Sequence, residues 1–301
     1  MTYSKTKYQL THLLQDAWNR MGQLRTWKVT GGSTVTVVNT AWAGVEDAIY
    51  EDDDASLIFG SVVVVEDAGG LGAAPEGEIA RITDYDSASQ TITMDAITAV
   101  AANDRVGIAT PLFPYEDMKE LANLALRKLG KIDLVDTSIS IAAGQSEYTL
   151  PVKVKPKRVR IATVQDSNDH RWVPVNNWSI IPATAGGFPT LVVPALSVGY
   201  SLEILYEDNH PELTGYASDI MENIEPELAL NALIIEAYQW YNNQIGGSNP
   251  YMIQRENKAL QDFEQSMVKY PIRKIDYQVQ GFPHWNRRGE YVPLTSDLRY
   301  P

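Results

Sequence analysis

Clustered carboxylates are the first residues in this sequence whose types and spacing could do chemistry. Asp84, Asp86 and Asp95 stand at the first, third and twelfth positions of one window, and these are ligand positions in a calcium-binding loop. The sixth position is Ser89 rather than glycine, and a strand pattern runs through the window. The sequence therefore favours solvated turn carboxylates here, and the acidic run at 51–54 is interpreted in the same way.

Histidines and one glycine-rich loop are the other candidates for chemistry. His170 and His210 lack a serine in a nucleophile-elbow setting, and no two of the four histidines have metal-ligand spacing. The loop at 69–75 lacks a third glycine and is followed by a strand pattern, so it indicates a hairpin rather than a phosphate site. The chain contains no cysteine. We expect no catalytic residue, no metal, no cofactor and no enzymatic activity.

One strand pattern presents a row of cationic side chains. Alternation places Lys153, Lys155 and Lys157 on the same face of this strand. A solvated face is one interpretation of the row. The other is a contact with an acidic neighbour or with passing nucleic acid in a channel.

The last 31 residues, 271–301, have no helical or strand period but are rich in aromatic rings. Five basic residues against three acidic ones give them a net charge of +2, in a chain of net charge −13. Disordered segments are usually poor in aromatic residues, so the composition predicts an extended arm that docks on another surface. The predicted anchors of this arm are Tyr277, Phe282, Trp285, Arg287, Arg288, Tyr291, Leu294 and Tyr300.

Hydrophobic periodicity predicts the elements that must position these residues. Four stretches show helical spacing, at 6–24, 115–129 after Pro114, 227–244 and 250–270. Asn249 can cap the last stretch and Pro271 stops it. The last stretch carries Ile253, Leu260, Phe263 and Met267. Short β-branched runs fill 28–112 and 138–207. Residues 28–112 carry a net charge of −11, which argues against a grip on a phosphate backbone. No apolar run approaches the roughly 20 residues of a membrane span, and no signal-peptide pattern is present, so no membrane partner is expected.

These patterns predict an α+β fold in which a four-helix bundle is interrupted by two inserted β modules, each a barrel or sandwich, with an extended C-terminal arm. The bundle is assigned to residues 1–27, 113–136 and 218–270. The inserted acidic β domain takes 28–112, the second β module 137–217 and the arm 271–301.

Several motifs of the second β module are distinctive: Tyr148-Thr-Leu-Pro, Arg171-Trp-Val-Pro-Val, Leu202-Glu-Ile-Leu-Tyr and His210-Pro-Glu-Leu. These motifs resemble tailed-bacteriophage head-to-tail adaptor, or connector, proteins. The insertion carries Gln90-Thr-Ile-Thr-Met, which is similar to β modules of phage virion proteins. The large acidic insertion departs from the shortest adaptors.

The resemblance implies a structural virion protein at the head–tail interface, assembled in the host cytoplasm. It implies a homo-oligomeric ring, expected to be a dodecamer, that lines and seals the DNA channel. The implied partners are the portal protein, a tail tube or nozzle protein, and double-stranded DNA in transient passage. The arm would reach into the portal or across neighbouring subunits.

Two other classes of function stay open at this point. One is a phage tail-associated β-domain protein that binds carbohydrate or a host surface through exposed rings, for which the insertion offers Trp42, Tyr50, Phe59 and Tyr85. The other is a glycosidase, which needs a pair of carboxylates that the spacing does not single out. Deletion of the arm separates them, because only an adaptor would depend on it for assembly.

Overall fold

A computed structural model of the chain shows an α+β fold whose strands pair antiparallel. It describes residues 7–42, 60–69, 75–151, 156–162, 172–175, 177–183, 187–194, 201–244 and 249–274. Within these ranges no helix has the length and apolar character that crossing a membrane requires.

Four helices lie in the described ranges: α1 (Leu10–Met21), α2 (Tyr115–Lys128), α3 (Pro226–Gln244) and α4 (Pro250–Lys269). Their ends follow signals in the sequence. A capping box opens α1, in which the Gln9 backbone N–H donates to Nδ1 of His12 at 3.1 Å. Gly22 ends α1 in the left-handed region, with φ of 74°. The Asn249 side chain caps α4 by accepting from the backbone N–H of Tyr251 at 3.1 Å.

The central helix is α3. The other three helices each pack mainly against it. Every residue from Leu228 to Tyr238 is buried. A helix buried on all its faces is a core helix, so α3 is the element around which the others are placed.

The predicted four-helix bundle is wrong, although the α+β class is compatible with the structure. In a bundle the helices would complete one core among themselves. Here strand residues complete it, including Val63 and Ala109 from the insertion and Ile132 from the second β region. The fourth helix fully buries only Ala259 and Ser266, so it lies outside this core instead of closing it.

The insertion forms a seven-stranded sheet in the order β1-β7-β4-β5-β6-β3-β2. Its strands are β1 (Leu24–Lys28), β2 (Gly31–Gly32), β3 (Thr36–Val38), β4 (Ser61–Glu66), β5 (Ile79–Asp86), β6 (Thr91–Met94) and β7 (Arg105–Ala109). Trp27 on β1 makes an edge-to-face contact with Trp42, which follows β3, with ring centroids 5.9 Å apart. The two ends of the sheet therefore approach each other around one apolar core.

The second β region contains two smaller sheets, in the orders β11-β10-β14-β8 and β12-β13-β9. Its strands are β8 (Ile132–Asp136), β9 (Glu147–Thr149), β10 (Arg158–Ala162), β11 (Trp172–Pro174), β12 (Ser179–Ile181), β13 (Thr190–Val192) and β14 (Leu202–Asp208). Side chains from both sheets, among them Tyr148, Val159 and Leu191, share one core. The domain boundaries given above stay predictions.

The connection between β14 and α3, residues 209–225, is held by buried polar contacts. Asn123 on α2 donates from Nδ2 to the carbonyl of Leu213 at 3.1 Å and accepts from its N–H at 2.8 Å. The Asn123 side chain thus satisfies both the backbone N–H and the backbone carbonyl of Leu213, as a neighbouring strand or helix would. This pair of hydrogen bonds fixes the connection on the helical core.

Candidate interaction surface

The first residues of the arm, 271–274, follow the end of α4 and are held by hydrogen bonds and ion pairs to the preceding part of the chain. The backbone N–H of Arg273 donates to the carbonyl of Asn223 at 3.0 Å, and its guanidinium pairs with Glu225. The Lys274 ammonium group pairs with Glu207 at the end of β14. These contacts define the arm root, residues 271–274, and fix the point from which the rest of the arm departs.

A network of ionised groups surrounds the arm root. The Lys157 ammonium group donates to Asp133 at 2.9 Å and lies 3.2 Å from Glu207, which it shares with Lys274. Hydrogen bonds from Lys274 and Lys157 lower the pKa of the Glu207 carboxyl, and the bond to Asp133 raises the pKa of Lys157. Both shifts favour the charged forms of Glu207 and Lys157.

A groove with a volume of about 500 Å³ opens beside the arm root. Its polar rim includes Lys7 and Asp219, which form an ion pair at 2.9 Å, and the two cations of the arm root, Arg273 and Lys274. The wall between them is largely apolar and consists of Leu134, Val135, Tyr206, Pro211, Ile220 and Met221. A concave apolar wall with a charged rim is typical of a binding groove.

A second apolar surface lies on the outer face of α4. Ile253, Leu260 and Met267 recur every seven residues and are 39%, 44% and 45% exposed, and Val268 beside them is 85% exposed. We call these four residues the α4 stripe. Because seven residues make nearly two helical turns, the stripe is a continuous ridge along the helix.

Small residues on the side of α4 that faces α3 explain why the α4 stripe points outward. Ala259 and Ser266 face α3, where Ser266 accepts from the Asn231 amide and donates to the carbonyl of Asp262 at 2.7 Å. A small-residue face lets two helices approach closely, so the residues of the α4 stripe are left on the outside. Only Phe263 of the predicted apolar set packs against the core.

Most of the predicted interaction residues belong to parts of the chain other than the described ranges. Lys153 and Lys155 lie outside the described residues, as do the arm anchors Tyr277, Phe282, Trp285, Arg287, Arg288, Tyr291, Leu294 and Tyr300. Lys157 is described, and it belongs to the ionised network beside the arm root. Its predicted contact with a channel or a neighbour stays a prediction.

Asp86 and His210, which were singled out in the sequence, have structural partners. Asp86 accepts from the Ala88 N–H at 2.8 Å and from the Ser89 hydroxyl at 2.7 Å, which is a local turn. His210 is buried; its Nε2 accepts from the Met221 N–H at 3.1 Å, so Nδ1 carries the proton and donates to the Pro211 carbonyl at 2.6 Å. His170 and residues 70–74 lie outside the described ranges.

The arm root and the groove were not predicted from the sequence. Arg273 and Lys274 counted only toward the charge of the arm, and their partners Glu225 and Glu207 lie 48 and 67 residues away. The groove wall comes from three separate segments around Leu134, Tyr206 and Ile220. The one signal in the sequence was a pair of charged residues, Arg273 and Lys274, shortly after Pro271, the proline that was expected to end the helix.

Comparison with known proteins identifies the family of the chain. Among curated proteins no match is found. A family model described as the SU10 adaptor protein matches residues 90–280, which is more than half of the chain. The matched range runs from β6 through the second β region, the central helix, the α4 stripe and the arm root. The chain therefore belongs to the SU10 adaptor protein family.

Proposed function

We propose that this protein is a non-enzymatic virion component that forms a head-to-tail adaptor ring between portal and tail and surrounds the DNA channel. The observation that carries the proposal is the family match over residues 90–280, which makes the chain a phage adaptor-type structural protein. The ring, expected to be a dodecamer, and its contacts with the portal and with a tail tube or nozzle protein are inferred from that role.

The α4 stripe supplies a contact for such a ring. Ring formation uses a heterologous contact, in which one surface of a subunit meets a different surface of the next copy. An exposed apolar ridge on a helix whose other face is held by α3 is suited to such a contact. We assign the stripe of Ile253, Leu260, Met267 and Val268 to a second copy of this chain.

The charge distribution suits a channel through which DNA slides. A protein grips DNA by neutralising phosphates with lysine and arginine. This chain has a net charge of −13. Lys157, the described member of the predicted row of lysines, is paired with Asp133 and Glu207. A weakly interacting lumen would let DNA pass.

The alternative of a carbohydrate- or host-binding β domain depends on exposed aromatic rings, and the insertion does not offer two of the expected four. Trp42 and Tyr85 are 2% and 1% exposed, and the Tyr85 hydroxyl donates to the Trp42 carbonyl at 2.9 Å. Tyr50 and Phe59 lie outside the described residues. We therefore favour the adaptor ring over the carbohydrate- or host-binding alternative.

Electron microscopy of the chain mixed with its cognate portal tests the proposal. The full chain should add a second ring to the portal. A chain that ends after Lys274 keeps the arm root, so it should fold normally but stack with lower occupancy. A full chain that stays monomeric beside its cognate portal would contradict the proposed function.

A further inference from the structure

The outer edge of β8 has hydrogen-bonding groups that point away from its sheet. Leu205 on β14 lies opposite Val135 on β8, but its carbonyl accepts from the Lys157 N–H at 2.7 Å, on the side of β10. In an antiparallel pair, opposed residues either exchange both hydrogen bonds or both point away from each other. The N–H and carbonyl of Val135 therefore point to the outer edge, where no strand pairs with β8 within the described ranges.

The apolar groove lies along this edge. Val135 is 41% exposed and forms part of the groove wall with Leu134 and Met221. Asn223, also on the groove, donates from Nδ2 to the carbonyl of Asp133 at 2.9 Å. Its Oδ1 is buried and has no hydrogen-bond partner among the groups that the structure describes. A buried acceptor without a donor is costly, so the site lacks an N–H group.

The arm root delivers the chain to the start of this edge. The backbone N–H of Arg273 donates to the Asn223 carbonyl at 3.0 Å, and the Lys274 ammonium group donates to the carbonyl of Lys131, the residue before β8, at 3.4 Å. Residues 275–279 come next, with the sequence Ile-Asp-Tyr-Gln-Val. The arm as a whole has no strand period, but in this short stretch Ile275, Tyr277 and Val279 alternate with polar residues, as in a strand with one apolar face.

We propose that residues 275–279 of the arm bind as an added strand along the outer edge of β8 of the same chain, with Ile275 and Tyr277 filling the groove. Main-chain hydrogen bonds to Val135 would supply affinity and the groove would select the side chains, as in strand addition generally. The occupant is the chain's own arm because the arm root lines the groove and the next residue continues from it. The inference concerns the free chain and does not rely on the proposed ring.

Cross-linking tests the proposal directly, because the natural chain has no cysteine. Val135→Cys and Tyr277→Cys are combined in the full chain and treated with a short bismaleimide at low protein concentration. Val35→Cys with Tyr277→Cys is the matched control, since Val35 and Val135 are each 41% exposed. The Val135 pair should form its link within one chain about tenfold faster than the control pair, because a docked strand has a high effective concentration.

Each outcome of the cross-linking bears on the proposal. A faster link within one chain supports it. Equal rates for the two pairs would overturn it. A link between two chains would overturn the assignment to the same chain and give the groove to a neighbour's arm.

Hydrogen exchange gives a second test that needs no cysteine. In the full chain carrying Ile275→Ser and Tyr277→Ser, the Val135 amide should exchange about fivefold faster or more than in the natural chain, which corresponds to the net worth of a backbone hydrogen bond. The amide of Tyr206, on the other side of β8, is the internal control. Unchanged exchange at Val135 would contradict strand addition. Neither test contains a portal, so its failure is distinct from a failure of ring assembly.

Discussion

Consecutive helices in this molecule use their apolar residues in opposite ways. α3 and α4 have 19 and 20 residues, but α3 is buried continuously from Leu228 to Tyr238, whereas α4 fully buries only Ala259 and Ser266. Four apolar residues of α4, the α4 stripe, form a ridge on the outside. One helix is therefore part of the core of the folded chain, and the other carries an exposed apolar ridge, which is the surface proposed above for contact with a second copy.

The strongest test of this difference is to truncate one leucine in each helix. Leu233 on α3 is 0% exposed and Leu260 on α4 is 44% exposed. Leu233→Ala should lower the free energy of unfolding by about 2–5 kcal/mol, because it leaves a cavity in the core. Leu260→Ala should change it by less than about 0.5 kcal/mol, as is usual for surface positions. Urea unfolding followed by circular dichroism measures both, and equal losses would contradict the assignment of roles.

A polar substitution extends the comparison to hydrogen bonds. Asn123→Ala should lower the free energy of unfolding by about 2 kcal/mol or more, because both backbone groups of Leu213 lose a buried partner. Asn257→Ala, at an exposed position on α4, is the control and should be nearly neutral. The same unfolding measurement decides this. A neutral Asn123→Ala would show that the connection before α3 is held by other contacts.

The smallest expected effect is a dependence of the free energy of unfolding on pH, which arises from a buried histidine. Burial lowers the pKa of His210 below its ordinary value of 6.5, so the unfolded chain takes up a proton at a higher pH than the folded chain. The free energy of unfolding should therefore fall as pH drops below about 6.5. Burial also lowers the pKa of His12, so His210→Gln should reduce this dependence without abolishing it.

Thermal unfolding between pH 7 and pH 5 measures the effect. A natural chain whose stability rises on acidification over this window would contradict the buried neutral state of His210. The helix α4 contains no histidine. Substitution of Lys258 on α4 by methionine should leave the pH dependence unchanged and is the control.

Local signals predicted the helices well. The helix stretch after Pro114, the cap at Asn249 and the stop before Pro271 all agree with the observed bounds of α2 and α4. These features act through neighbouring residues, through fixed φ, a missing N–H or a nearby side-chain acceptor, so a sequence shows them directly. The presence of strands in 28–112 follows from another local signal, the short β-branched runs.

Long-range features could not be predicted in this way. A seven-residue repeat through Ile253, Leu260 and Met267 looks the same whether it faces inward or outward, and only the small residues Ala259 and Ser266 decide the matter once α3 is beside them. The arm root and the groove depend on pairs far apart in the chain, such as Lys274 with Glu207. The predicted bundle was wrong for this reason, because helix count does not say which surfaces meet.

One substitution on the outer face tests the central claim most directly. Leu260→Glu places a charge on the α4 stripe, and Lys258→Glu makes a larger charge change at an exposed position away from the stripe on the same helix. Both chains should show unfolding midpoints close to that of the natural chain. Mixed with the cognate portal and imaged by electron microscopy, Lys258→Glu should form a second ring and Leu260→Glu should not. Rings of natural occupancy with Leu260→Glu would contradict the assignment of the α4 stripe to subunit contact.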